Sequence, residues 1–142
     1  MSVHYIPKNH HTVEPFFIVK SVHNLIDWLT SSFGAEVLSK LELPDGRLAH
    51  AEIKIGDSII MAGERPIPMK LSTHIYLRDV DDAYNRCLKA GGKSINPPTT
   101  HPYGDRSAGV EDPEGNIWWI GTHVEDVSED EIIRRMSQSS PK

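Results

Sequence analysis

Apolar and polar positions along the first half of the chain predict a strand followed by a helix. Residues 13–20 are apolar at nearly every position, which is typical of a strand covered on both faces. The next segment has apolar residues at helical spacing, and we predict a helix that Ser21 caps and Gly34 ends. Its apolar face is formed by Val22, Leu25, Ile26, Trp28 and Leu29.

Three strands are predicted after this helix. The first covers residues 35–42 and the second covers residues 47–55. The second strand alternates between apolar and polar positions, which places His50 and Glu52 on the same face. The third is predicted over residues 58–62, so the first half has the order β-α-β-β-β.

The second half of the chain shows the same plan. A strand over residues 72–77 enters a helix for which Asp79 is the predicted N-cap, and Gly91 and Gly92 are predicted to end it. The apolar face of this helix is formed by Val80, Ala83, Tyr84, Cys87 and Leu88. We therefore expect Cys87 to be buried and chemically inert.

Three further strands and a helix complete the predicted elements. We predict a short strand over residues 93–95, a loop over 96–106, and strands over 107–111 and 117–123. Two residues of the tail, Ser128 and Glu131, form a capping box for a short C-terminal helix.

The two ends of the chain are polar. Residues 1–12 carry His4, His10 and His11. Histidines in a flexible arm could bind a metal ion, but we expect a loosely ordered terminus instead. The same is expected of residues 137–142.

The two halves are interpreted as copies of one supersecondary unit. When the first half is aligned with the second at an offset of about sixty positions, Glu14 aligns with His74. Such a period predicts two β-α-β-β-β units, over about residues 12–64 and 71–123. We expect both to belong to a single domain over residues 1–142.

Composition narrows the classes of function. The chain of 142 residues has a net charge of −5 and no cluster of lysine and arginine, which argues against a nucleic-acid partner. No apolar run approaches the roughly twenty residues that cross a membrane, and the N-terminus lacks the apolar core of a signal peptide. The single cysteine, Cys87, excludes an internal disulfide and suits a reducing compartment. We therefore predict a cytoplasmic protein that has neither a membrane nor a nucleic acid as its partner.

The repeat and four motifs resemble the vicinal oxygen chelate superfamily, which includes glyoxalase I, extradiol dioxygenases and the bleomycin- and fosfomycin-resistance proteins. The motifs are HAEIKIGDSIIM, YGDR, DPEGNIWWI and THVEDVS. The similarity is greatest to the glyoxalase/bleomycin-resistance-like branch and covers about residues 12–123. It implies an α+β fold in which two tandem βαβββ units form paired curved mixed sheets around a cleft, with a short C-terminal helix. It also implies a homodimer.

The resemblance implies four metal-ligand positions, of which this chain fills two. Glu14 stands at the first position and His74 at the third, and both side chains can bind a metal ion. The second position falls on Met61 or Ile60, and the fourth falls on Trp119, which cannot coordinate. A catalytic zinc usually has three protein ligands, so we expect no bound metal. If a divalent metal does bind, Glu14 and His74 would hold it.

Two residues on the predicted strand over residues 47–55 could supply further donors to such a metal. These are His50 and Glu52, which the alternation places on the cleft side. We expect their strand to lie one position further from the centre.

Without a metal, Glu14 and His74 have other uses. They could form a charge-assisted pair that raises the pKa of the histidine. They could act as a general base and a hydrogen-bond donor toward a ligand. They could also be a structural polar pair with no part in catalysis. An enzyme using them would be a metal-dependent lyase, isomerase or dioxygenase, or a metal-free acid–base catalyst.

Aromatic residues favour a different function. Phe16, Tyr76 and Trp119, with Met61 beside them, would give the implied cleft an apolar wall that stacks on planar ligands. The drug-binding members of the superfamily, which resemble this chain in lacking metal ligands, bind bulky antibiotics in this way. The alternative is that these aromatic side chains only fill the space between the sheets, and for Trp118 we accept that alternative.

The predicted loop over residues 96–106 offers further ligand contacts. Tyr103 provides an aromatic face, and Arg106 could hold a carboxylate or phosphate through two hydrogen bonds. The alternative is an internal ion pair, either Asp105–Arg106 or Arg106–Glu111. We conclude that the sequence favours a small-molecule-binding protein without a cofactor, while an enzyme and a protein that acts through its dimer surface and C-terminal helix remain alternatives.

Overall fold

The computed structural model of the chain describes residues 3–138. The elements of this part of the chain are β1 Phe16–Val19, α1 Val22–Phe33, β2 Glu36–Glu42, β3 Leu48–Ile55, β4 Ser58–Glu64, β5 Ser72–Tyr76, α2 Val80–Lys89, β6 Lys93–Thr100, β7 Asp105–Glu111, β8 Ile117–His123 and α3 Glu129–Gln138. They form two compact units. The first runs through Leu71 and includes Pro113–Gly115, and the second contains Ser72–Asp112 and the residues from Asn116 onward.

The first unit is a four-stranded mixed sheet with one helix. The strand order is β1-β4-β3-β2, in which β1 pairs with β4 in parallel and the other pairs are antiparallel. Helix α1 packs on β3 and β4. The five residues of its predicted apolar face are all buried, together with Phe17 and Ile53 of the strands. As predicted, β3 lies one strand further from β1 than β4 does.

The second unit has the same topology, with the strand order β5-β8-β7-β6 and a parallel pair between β5 and β8. Helix α2 packs on β6, β7 and β8, and Cys87 on this helix is buried as predicted. Trp118 is also buried, and its Nε1 donates to Asp112 Oδ2 over 2.9 Å. The α+β fold of two β-α-β-β-β units is therefore confirmed. The assignment of both units to one domain stays a prediction.

Helix capping shows how the two units correspond. The side chain of Ser21 accepts a hydrogen bond from the backbone N–H of Asn24, and that of Asp79 accepts one from Asp82. Both N-caps were predicted, and they lie 58 positions apart in the sequence. The predicted offset of sixty is therefore two residues too long. With the corrected offset, the first-unit equivalent of His74 is Phe16.

One strand is longer than predicted. Strand β6 continues through Asn96, Pro97 and Pro98 to Thr100, where a loop was expected. The prolines are tolerated because β6 is an edge strand whose pairing with β7 is irregular around Asn96. The loop before β7 is consequently reduced to residues 101–104.

The C-terminal helix forms as predicted. Ser128 Oγ accepts a hydrogen bond from the backbone N–H of Glu131. Two residues expected to be loosely ordered, Ser137 and Gln138, belong to α3. The rest of that expectation concerns residues 139–142, which lie outside the described residues. Over residues 3–138, no helix is long and apolar enough to cross a membrane.

Candidate functional site

Glu14 of the first unit is held by two histidines of the N-terminal segment. His10 Nδ1 lies 2.6 Å from Glu14 Oε1, and the backbone N–H of His11 donates to Glu14 Oε2 over 2.9 Å. The Glu14 side chain is only 5% exposed. Burial is the largest single influence on the Glu14 pKa and raises it, but the hydrogen bonds from His10 and His11 outweigh burial and leave this pKa below its ordinary value.

His10 also reaches a second carboxylate. Its Nε2 lies 3.2 Å from Glu52 Oε1, and the other oxygen of Glu52 lies 3.5 Å from His50 Nε2. A neutral imidazole can donate only one hydrogen bond, so two carboxylate contacts favour the doubly protonated ring. The hydrogen bond with Glu14 is the main cause that raises the pKa of His10. The result is a continuous polar chain from Glu14 through His10 and Glu52 to His50.

A pocket of about 460 Å³ opens beside this chain. The sheet contributes Glu52 and Met61 to its wall, and Glu14 lies just before β1. The N-terminal segment contributes residues on both sides of Pro7, including Ile6 and His10. The pocket therefore combines an apolar wall with a polar wall inside one unit.

Phe16 lies in β1 next to the pocket strand. It pairs in register with Met61. Its ring centroid is 5.9 Å from that of His50, and the guanidinium of Arg65 lies 5.8 Å from it on the ring face. Five of the predicted site residues, Glu14, Phe16, His50, Glu52 and Met61, are therefore neighbours within the first unit.

The aromatic residues of the second unit are exposed. Trp119 is 37% exposed and Tyr76 is 65% exposed, whereas the buried Trp118 occupies the other face of β8. Trp119 Nε1 donates to Ser72 Oγ over 3.0 Å. The rings of His74 and Tyr76 are 4.5 Å apart. His74 and Trp119 are register partners on β5 and β8.

A second histidine lies between two carboxylates, this time in the second unit. His123 Nδ1 is 2.8 Å from Asp105 Oδ1, and His123 Nε2 is 2.7 Å from Asp126 Oδ1. Its hydrogen bond with Asp105, followed by that with Asp126, raises the pKa of His123. The Tyr76 hydroxyl is 3.4 Å from Asp105 Oδ2, and the charge of Asp105 is the main cause that raises the pKa of Tyr76.

Arg106 forms an ion pair with a partner that was not predicted. Its Nε and Nη2 donate to the two carboxylate oxygens of Asp81 over 2.8 and 2.9 Å. The two predicted pairs, with Asp105 and with Glu111, are therefore wrong, because Asp81 at the start of α2 provides a bidentate partner. Tyr103 is 41% exposed and stacks on His101 with ring centroids 5.1 Å apart.

The described residues do not fit the divalent-metal site that the resemblance implies. The parallel pairs are Phe16–Met61 in the first unit and His74–Trp119 in the second, and His74 alone among these four offers a nitrogen or oxygen donor suited to such an ion. Both oxygens of Glu14 already accept hydrogen bonds. Over residues 3–138, no group of three or more His, Cys, Asp and Glu side chains is arranged to hold a metal ion.

Sequence reasoning missed His10, His123 and Asp126 as members of polar networks. His10 was assigned to a loosely ordered terminus, and that expectation is wrong for this residue because it lies between Glu14 and Glu52. A signal was present, since His10 stands four positions before Glu14 and His11 stands three before it. No sequence signal indicated the contact between His10 and Glu52, because these two residues are distant in the sequence.

Comparison with known proteins places the chain in a family. A family model described as the Glyoxalase/Bleomycin resistance protein/Dioxygenase superfamily matches residues 8–120. An uncharacterized protein of Mycobacterium bovis is 30% identical over 139 residues, covering 88% of this chain and 91% of that protein. A similar protein of Mycobacterium tuberculosis is also 30% identical, covering 88% of this chain and 82% of that protein.

Solved structures show the same fold. TioX from Micromonospora sp. ML1 has a TM-score of 0.66 at 24% identity, covering 79% of this chain and 99% of that one. A glyoxalase I mutant from Zea mays has a TM-score of 0.65 at 19% identity, covering 79% of this chain and 44% of that one. The chain, with its two β-α-β-β-β units, therefore belongs to the Glyoxalase/Bleomycin resistance protein/Dioxygenase superfamily.

Proposed function

We propose that this chain is a small-molecule-binding protein that needs no metal, and that its ligand occupies the pocket of the first unit. The observation that carries the proposal is the pocket itself, because its volume of about 460 Å³ lies in the range that suits small organic ligands. The side chains at the register positions beside it, Phe16 and Met61, favour contact with an organic molecule over coordination of a hard cation.

The two walls of the pocket indicate an amphipathic ligand. Met61 and Ile6 offer an adaptable apolar surface. Glu52 is the register partner of Met61 on the adjacent strand, and its side chain is 26% exposed, so one polar group remains accessible to a ligand. A planar ring carrying a single polar substituent would match both walls.

A separate part of the proposal concerns the exposed aromatic side chains of the second unit, taken by itself. Trp119 and Tyr76 present ring surface to solvent, and each stacked ring would contribute on the order of 1 kcal/mol beyond its buried area. Stacking on Trp119 is tested by fluorescence quenching with the same ligands. If Trp119→Ala leaves the quenching unchanged, the stacking prediction is wrong.

The first experiment uses methionine methyl groups as probes. Protein with ¹³C-methyl methionine is titrated with 9-aminoacridine and with 1-naphthoate in the presence of EDTA. We expect the Met61 signal to shift selectively, while Met69 and Met136, which are 63% and 55% exposed, serve as internal references. If neither compound nor a wider set of planar compounds shifts Met61, the proposal fails.

Matched variants then locate the ligand. Met61→Gln replaces the apolar pocket wall by an amide of similar size, and Met69→Gln makes the same change outside the pocket. Calorimetry should show a Kd at least about fivefold larger for Met61→Gln than for the wild type, which corresponds to a loss of about 1 kcal/mol in binding free energy. The Kd of Met69→Gln should equal that of the wild type.

One observation favours a second candidate function, metal-free acid–base catalysis. The chain Glu14–His10–Glu52 could move a proton between its ends, because His10 contacts both carboxylates. The sequence alternative, an enzyme that uses Glu14 and His74 with or without a metal, belongs to the same class. Turnover of a bound compound that is lost in Glu14→Gln but kept in EDTA would favour the metal-free enzyme over the binding protein.

The resemblance also supports a homodimer as part of this proposal, and the single cysteine supports a cytoplasmic location. Light scattering during size-exclusion chromatography measures the mass directly. A mass of twice 15.9 kDa at micromolar concentration would support the dimer, and the mass of a single chain would refute it.

A further inference from the structure

A groove of about 1000 Å³ lies on the second unit, at the ends of β5 and β8. It is lined by Tyr76 and His123, together with Arg78 and the α2 residue Arg86. This groove is separate in residue composition from the first-unit pocket, since no residue lines both.

His123 in this groove has one fixed partner and one replaceable partner. Asp105, which holds Nδ1, has a side chain that is 12% exposed. Asp126, which contacts Nε2, has a side chain that is fully exposed to solvent. The ring is therefore oriented by Asp105, while its Nε2–H points at a carboxylate that can leave at small cost.

Both carboxylates that line the groove have a partner, whereas one of its guanidinium groups has none among the described residues. Asp79 accepts the N-terminal hydrogen bond of α2, and Asp82 forms an ion pair with Arg86. Arg78 is exposed and makes no hydrogen bond or ion pair with any residue in the part of the chain that the structure describes. The same groove is thus lined by a guanidinium without a partner among the described residues and by an imidazole whose partner is exchangeable.

We propose that this groove binds a small carboxylate, which replaces Asp126 at Nε2 of His123 and takes Arg78 as its second partner. The Asp126 carboxylate marks the position of the ligand carboxylate because it already makes the hydrogen bond that the ligand would make. A guanidinium can then hold the second oxygen of the same group. The inference concerns His123, Arg78 and Asp126, which the proposed function does not use.

Asp126 acts as an internal competitor, and its effect can be expressed as a ratio. An internal group that covers the site in most molecules lowers the apparent affinity in proportion to the fraction that remains open. If Asp126 covers His123 in roughly 70–90% of molecules, then removing it strengthens binding by about three- to tenfold.

The test is an NMR titration of the full chain with sodium acetate at constant ionic strength, followed through the His123 ring signals. Asp126→Asn should bind acetate about three- to tenfold more tightly than the wild type. Asp130→Asn is the matched control, because it removes the same charge from an exposed position at which no His123 contact exists. This control should leave the affinity within about twofold of the wild type.

A second pair of variants tests the arginine. Arg78→Gln should weaken acetate binding by at least about fivefold, while Arg47→Gln, which removes an exposed arginine of the first unit, should not change it. The proposal is overturned if Asp126→Asn and Asp130→Asn behave alike, or if Arg78→Gln binds as the wild type does. The carboxylate class is overturned if inorganic phosphate saturates the His123 shift and acetate does not.

Discussion

The contact between Gly109 and Trp119 permits a quantitative prediction about the exposed aromatic surface. The Trp119 ring lies so close to the β7 backbone that a Cβ added at Gly109 would stand 2.5 Å from one ring carbon and 2.9 Å from another. A Cβ at this position would also be 3.4 Å from Ile95. Gly109→Ala therefore forces the Trp119 ring away from the strand.

The free-energy cost follows from three contributions. Overpacking typically costs about 1–3 kcal/mol. Displacing the ring also breaks the Trp119–Ser72 hydrogen bond, worth about 0.5–1.5 kcal/mol. Replacing glycine by alanine offsets about 0.4–1 kcal/mol of this loss, because alanine lowers the conformational entropy of the unfolded chain. We expect a net loss of about 0.5–4 kcal/mol in the free energy of unfolding.

Urea unfolding and acrylamide quenching measure the two consequences. Trp28 and Trp118 are 2% and 1% exposed, so a change in quenching reports mainly on Trp119. Gly109→Ala should be less stable and more strongly quenched, whereas Ser72→Ala should lose only the hydrogen bond, about 0.5–1.5 kcal/mol. A Gly109→Ala variant with wild-type stability and wild-type quenching would show that Trp119 does not lie against this strand.

Three further predictions concern the networks around the sites. Asp112→Ala should lower the free energy of unfolding by about 2–5 kcal/mol, because the buried Trp118 Nε1 and Asn116 N–H lose their acceptor; urea unfolding measures this, and a loss below about 1 kcal/mol would contradict it. Gly104→Ala should cost at least about 1–3 kcal/mol, because Gly104 has a φ of +103° and an added Cβ would collide with the Glu125 carbonyl; a thermal melt unchanged from the wild type would refute this. The stability difference between the wild type and His10→Gln should be largest below the ordinary histidine pKa of 6.5 and should shrink as the pH rises through the raised pKa of His10. His4→Gln is the control. A difference for His10→Gln that does not depend on pH would disprove the ion pairs of His10 with Glu14 and Glu52.

Most of the fold could be predicted because its signals are local. A serine or aspartate before an apolar stripe defines a helix start, and the Ser21 and Asp79 caps both form as predicted. Strand alternation likewise separated the buried Trp118 from the exposed Trp119. Strand β6 was not predicted at full length, because a pair of prolines usually indicates a loop and the edge position that tolerates them is a property of the whole sheet.

The partners in the candidate sites were less predictable, because they depend on which strands become neighbours. Glu52 meets His10 only after β3 has paired with β4, and Asp105 meets His123 only after β7 has paired with β8. Arg106 and Asp81 are likewise separated along the chain. A two-residue error in the repeat offset also moved the equivalent of His74 from Phe16 to Glu14.

The most direct test of ligand binding without a metal is a titration of the Met61 methyl signal with 9-aminoacridine, performed in EDTA and again with one equivalent of Mn²⁺. The pocket beside Glu14 should give the same Kd in both conditions, and Mn²⁺ should not broaden Met61 more than it broadens Met69. A shift of Met61 that appears only with Mn²⁺, or selective broadening of its signal, would contradict the account.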